Sequence, residues 1–267
     1  MRKDFVKKGT MRTVLVLLLL VAGLCCAGAV AAAGQDGPRT GAADSARKIS
    51  KKSLIEKQKS IIVMSIFTTN GDLVRLKKAL IRGLDAGLTV SEISEVLIQL
   101  YAYTGFPRSL NAIHCFMSLL NERRAAGMTD VQGREPTPMP DDLDRDAYGA
   151  RTRATLSGRD TVPPPSGYQL FAPAIDSFLK EHLFADIFYR DNLDWQSREL
   201  ATISALSAMS GTAGQLRFHL NAAMNMGLTE AQMRVFVDVV AGELGRDWAR
   251  QTEEVLDNIL AAGANKS

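Results

Sequence analysis

DAGLTVSEISEVLIQL at residues 85–100 and NMGLTEAQMRVFVDVV at residues 225–240 are one passage written twice. At a fixed offset of 140 with no gap, residues 56–109 meet residues 196–249. Gly71, Leu76, Leu80, Gly87, Leu88, Thr89 and Gly105 then fall on Gly211, Leu216, Leu220, Gly227, Leu228, Thr229 and Gly245. Self-similarity at a fixed spacing marks repeated structural units before any single motif is weighed. Within the passage, Gly87 suits the left-handed residue after a helix C-terminus. Thr89 caps the next helix and Glu92 completes a capping box; Gly227, Thr229 and Gln232 repeat the device. Leu73, Leu76, Leu80 and Leu84 before the glycine, and Ile93, Val96, Leu97 and Leu100 after it, recur at helical steps. No alternating strand segment stands out. The expected fold is all-α, with two tandem helical units packed as a pseudo-twofold pair that cover each other's apolar faces.

Working outward, the first unit spans 53–127 and the second 168–263. Between them, 128–167 holds six of the nine prolines and little apolar content, and reads as a linker largely without regular structure. Residues 34–52 read as a flexible Gly/Ala/Ser-rich leader. At the N-terminus, Arg2, Lys3, Lys7, Lys8 and Arg12 precede an apolar run at 14–26 and then the small residues AGAVAAAG. That order is a secretory signal peptide over 1–33, with Met11 an alternative start, and it implies a periplasmic or secreted protein with no membrane association after its removal. A retained anchor is the competing reading, but the run is shorter than the ~20 residues that span a bilayer. Leu24 stands where a small residue should precede a lipidated Cys25 or Cys26.

Residues 1–33 hold five of the 32 basic residues and one of the 29 acids, which leaves 27 basic against 28 acidic. The positive excess belongs to the leader, so no nucleic-acid footprint remains. Cys115 is then the one remaining cysteine, with no partner for a disulfide or a Cys-x-x-Cys pair. Three histidines and that cysteine show no metal-ligand spacing. No glycine-rich phosphate loop is present.

GLDAGLTVSEISEVLIQLYAYTGFPRSLNA in the first unit resembles the carboxymuconolactone decarboxylase family. The shared features are Gly87, Leu88 and Thr89, the helix with Glu92, Ile93 and Glu95, and the turn Tyr103-Thr104-Gly105-Phe106-Pro107. In the second unit, WQSRELATISALSAMSG resembles the family's arginine-led helix and QLRFHLNAAMNMGLT its histidine helix. The resemblance implies either of two chemistries. Decarboxylase-like members act on a small carboxylated lactone without metal or organic cofactor, as lyases. Alkylhydroperoxidase D-like members reduce peroxides with a Cys-x-x-Cys pair, which this chain lacks, so an antioxidant role would fall to Cys115. A third alternative is a non-catalytic binding or assembly protein on the same fold. Family analogy also implies a homo-oligomer, with a trimer of duplicated chains expected.

The resemblance implies a histidine eight residues before the glycine of the turn, which is His219 in the second unit and Ala79 in the first. The family's acid, four residues earlier, is replaced by Gln215 and Arg75. Spacing of four puts Gln215 and His219 on one helical face, so Gln215 is expected to orient His219, the proton carrier. Arg198 and Glu199 match the family's charged helix start. Arg198 either grips a substrate carboxylate with its planar fork or forms a structural salt bridge. Of Tyr101 and Tyr103, one is expected to reach the pocket, and Glu95 lies either in the site or in solvent. Since the first unit keeps the turn and the second keeps the Arg and His, one composite site per chain is expected across the units. His182 and His114 read as surface or packing residues, and Trp195 as a staple at its helix start.

Overall fold

A computed structural model describes residues 53–264. The signal peptide and leader read at 1–52 lie outside the described residues. Every regular element among them is helical. In chain order these are α1 (Glu56–Asn70), α2 (Leu73–Asp85), α3 (Val90–Ala125), α4 (Arg145–Leu156), the short α5 (Tyr168–Phe171) and α6 (Pro173–Ser177). A π-helix (Phe178–Ile187) follows, then α7 (Trp195–Ser207), α8 (Ala213–Asn225), α9 (Glu230–Leu244) and α10 (Arg246–Ala264). None is long and apolar enough to cross a membrane.

α1 and α7 pack against each other at the centre. Residues 60–69 of α1 and 197–207 of α7 are buried throughout; the α1 stretch carries no charged side chain, as a helix buried all round requires, while α7 also buries Arg198 and Glu199. Three of their buried hydroxyls donate to carbonyls one turn back: Ser65 to Ile61 at 2.7 Å, Thr69 to Ser65 at 2.8 Å and Ser204 to Leu200 at 2.5 Å. α2 lays Leu76, Ala79, Leu80 and Leu84 over α1, and α8 lays Leu216, His219, Leu220 and Ala223 over α7. Leu76, Leu80, Leu97, Leu200, Leu220, Val240 and Leu256 share one apolar core, so the two units are not separately cored.

The repeated passage has the expected local structure in both copies. Thr89 accepts from the Glu92 N–H at 3.1 Å, and the Glu92 carboxylate accepts from the Thr89 N–H at 2.7 Å. Thr229 and Gln232 form the matching box. α3 kinks at Gly105 (φ 77°, ψ 160°), a region open essentially to glycine alone. Pro107 follows, and Gly245 (φ 95°, ψ 157°) turns the chain in the same way between α9 and α10.

The segment 128–167, expected as a linker largely without regular structure, has one regular element, α4, and is docked on the rest of the fold. Its Val131 and Gln132 carbonyls accept from the Val90 and Ser91 N–H groups at 2.9 and 2.8 Å, covering the start of α3. The buried face of α4 is only Gly149, Thr152, Ala154 and Leu156. Such small residues give a weak periodic signal yet permit close approach to the π-helix. A Cβ on Gly149 would lie 1.9 Å from the Lys180 carbonyl oxygen. Gly149→Ala therefore has to push α4 off the π-helix. The expected penalty is about 1–3 kcal/mol of overpacking, read as a fall in Tm of roughly 2–12 °C; an unchanged Tm would contradict this packing.

Candidate functional site

The site grows from the first turn of α7. Asp194 caps this helix, accepting from the Ser197 N–H at 2.9 Å. Arg198 and Glu199 follow, both fully buried. Neighbours on a helix point about 100° apart, so the two side chains enter different surroundings.

Arg198 turns toward α3. Its guanidinium donates to Gln99 Oε1 at 2.8 Å, to Glu95 Oε1 at 3.0 Å and to the Arg190 carbonyl. Gln99 returns bonds to the Arg198 carbonyl at 2.8 Å and Thr202 Oγ1 at 2.9 Å. Arg190 Nε donates to both Glu95 oxygens, at 2.8 and 2.9 Å. Burial pulls the Arg198 guanidinium below its ordinary value and Glu95 opposes this. It stays charged, as arginine does in proteins. Of the two roles open to Arg198 in the sequence, the structure gives the salt bridge; the carboxylate-gripping role is corrected, because no side of the guanidinium is accessible. Glu95 likewise is neither a pocket residue nor solvated: it is a buried carboxylate held between two arginines.

Glu199 turns toward α8, where its Oε2 lies 2.8 Å from His219 Nδ1. This corrects the expected partner of the imidazole. Gln215 shares a helical face with His219 but is exposed, and the orienting carboxylate comes from the neighbouring helix. Glu199 Oε1 is buried without a partner, and so is the Tyr103 hydroxyl. The Tyr103 ring meets His219 edge-on at 5.7 Å between centroids. Though part of the residue is exposed, its hydroxyl is not. Burial first, and then the Glu199 charge, push that hydroxyl far above the usual phenol range, with Thr202 and Arg198 opposing. It is therefore a proton donor that keeps its proton. Buried polar atoms are nearly always paired, and unpaired ones mark places of interest.

Tyr103 comes from the first unit and the Glu199–His219 pair from the second, so residues of both units meet here. Tyr101 stacks on Phe106 at 4.5 Å and lies 5.5 Å from His182. His182 is itself bound to Asp186 at 2.8 Å and half-exposed. His114 is exposed. Trp195 packs edge-on against Phe188 at 5.9 Å. Cys115 is partly buried, with Sγ 3.8 Å from the Leu73 carbonyl. Burial raises its pKa, against the opposing charge of Lys77. Among the described residues no group of three or more His, Cys, Asp or Glu side chains could hold a metal.

Clefts of about 420, 490 and 400 Å³ open on the described surface, and none of these three is lined by His219, Glu199 or Tyr103. The third is lined by Phe218, whose ring stands 4.9 Å from the His219 ring. The sequence reading did not foresee the roles of Gln99, Arg190 and Thr202. Their link to Arg198 runs between helices far apart in the chain, and helical spacing carries no signal of it.

These features define an all-helical protein with a buried carboxylate–imidazole pair and a tyrosine hydroxyl at one focus. Residues 173–250, from α6 into α10, match the carboxymuconolactone decarboxylase family. No curated protein matches the chain.

Proposed function

We propose that the chain performs cofactor-free acid–base chemistry, of lyase type, on a small carboxylated molecule. The observation that carries this is the buried 2.8 Å contact of Glu199 with His219, beside the unpaired Tyr103 hydroxyl. Glu199 holds Nδ1 as the protonated nitrogen, which leaves Nε2 to exchange a proton with substrate. Nε2 makes no hydrogen bond to a described residue. In a decarboxylation, carbon dioxide departs and the electron pair of the broken bond stays on the substrate as an enolate. Tyr103 would donate a hydrogen bond to that oxyanion, and the imidazole, after taking a proton from water at Nε2 to become an imidazolium stabilised by Glu199, would pass that proton to the carbon. The test is a screen of small carboxylic acids and lactones, comparing the native chain with His219→Asn. Turnover that survives His219→Asn would overturn the reading.

The helices of the two units support a tandem duplication within this proposal. α2 and α8 begin at Leu73 and Ala213, and α3 and α9 at Val90 and Glu230, each pair at the offset of the sequence repeat. A pseudo-twofold arrangement, export behind a signal peptide at 1–33, and assembly as a trimer belong to the same proposal. Mass measurement of the mature chain, alone and in its native assembly, tests the last two.

A second reading, a binding or assembly protein without catalysis, is favoured by the absence of His219 from the three clefts. The antioxidant reading has less support. Burial disfavours the Cys115 thiolate, and thiolate is the reacting form. Cys115, followed by peptide mass, is expected to label more slowly than a free thiol. Cys115→Ala should leave any hydroperoxide consumption unchanged, and loss of such an activity would restore the antioxidant reading.

A further inference from the structure

The cleft of about 400 Å³ beside Phe218 is built largely by the segment between the units: Arg153, Ser157, Arg159, Pro163 and Pro164 line it, with Tyr168 from α5 and Phe218 from α8. Its volume lies within the range of small-molecule sites. Its two cations are not equivalent. Arg153 donates to Asp176 at 2.7 Å and to the Tyr168 hydroxyl at 3.3 Å. Asp176 is also bound by Gln169 at 3.0 Å and Lys180 at 3.3 Å. Burial alone would raise the Asp176 carboxyl, but these hydrogen bonds outweigh it and hold the group below the usual carboxylate range. Its charge is therefore taken up by Arg153 and Lys180. Arg159 has no ion pair or side-chain hydrogen bond among the described residues. Phe218, Pro163, Pro164 and Ala154 give the cleft its apolar lining.

We propose that this cleft binds a small amphiphilic anion, with its planar oxyanion head on Arg159 and its apolar body against Phe218 and the prolines. An unpaired guanidinium offers a fork that matches such a head, and the rings favour a flat body over a hydrated ion. Phe218 is then the wall between the bound anion and His219. That last link rests on the acid–base reading; the binding itself does not.

The test uses the full chain, titrated by calorimetry with sodium benzoate, with benzamide as the uncharged counterpart, and with inorganic phosphate as an anion without an apolar body. Benzoate should bind saturably, with benzamide and phosphate each weaker by about tenfold or more. Arg159→Met, at an exposed position, should weaken benzoate by at least about tenfold. Absence of saturable benzoate binding, equal binding by Arg159→Met, or phosphate as tight as benzoate would each overturn the site. A native chain that binds benzoate but turns over no substrate would remove the acid–base reading and leave the cleft standing. NMR signals of the His219 ring should shift on benzoate binding; unmoved signals would overturn the role of Phe218 as a shared wall.

Discussion

Glu95→Ala should destabilise the fold by about 3–5 kcal/mol, the range for removing one partner of a buried ion pair. Among the described residues Glu95 is the one carboxylate paired with Arg198, which is fully buried and would be left with Gln99 and the Arg190 carbonyl. Glu95 also separates Arg198 from Arg190, so its loss exposes one cation to the other. Arg190 is different: its side chain is 34% exposed and can turn into solvent. Arg190→Ala should therefore have a clearly smaller effect, nearer the ~0–1 kcal/mol of surface pairs. Replacing the buried pair together, as Glu95→Leu with Arg198→Met, should recover much of the loss, because well-packed apolar substitutes avoid the desolvation of both charges. Denaturant unfolding of the four chains checks this. If Glu95→Ala unfolds like the native chain, the network does not hold the units together.

The second large effect concerns rate. His219→Asn should lower turnover on the order of 10²–10⁴-fold, the usual contribution of a positioned general acid or base. Glu199→Gln keeps the shape and an oxygen able to accept from Nδ1, but removes the charge that stabilises the imidazolium. Losing a charge-assisted hydrogen bond of about 1.5–3 kcal/mol corresponds to roughly 10- to 160-fold in rate. Stability should move differently. Glu199 is a fully buried carboxylate with one oxygen unpaired, so neutralising it relieves a desolvation penalty and should leave Tm unchanged or raised. A purely structural pair would instead lose stability in both variants with no separate loss of rate. Steady-state kinetics with thermal unfolding of the same samples distinguishes the two.

Much of the fold was legible because helices are local. Glycine at 87 and 227, with Thr89–Glu92 and Thr229–Gln232 after it, marks each helix start within a few residues. The α4 segment was not legible, because its docking face is Gly149, Thr152 and Ala154 rather than a stripe of large apolar residues. Of the candidate site, the residues were found more readily than their partnerships. Four residues make one helical turn, which points to Gln215 as the partner of His219, but Gln215 is exposed and a carboxylate arrives from another helix.

The sequence by itself determined the helical class, the repeated helix boundaries and the short set of groups able to move a proton. These depend on contacts within a turn or two of chain, where spacing is geometry. Only the tertiary structure decided that Arg198 is a buried strut, that Glu199 holds His219, and that Tyr103 of the first unit reaches the same place. Those pairings join residues 20 to 116 positions apart on packed helices. Whether two such side chains meet is decided by which helix faces pack together, and no local spacing encodes that.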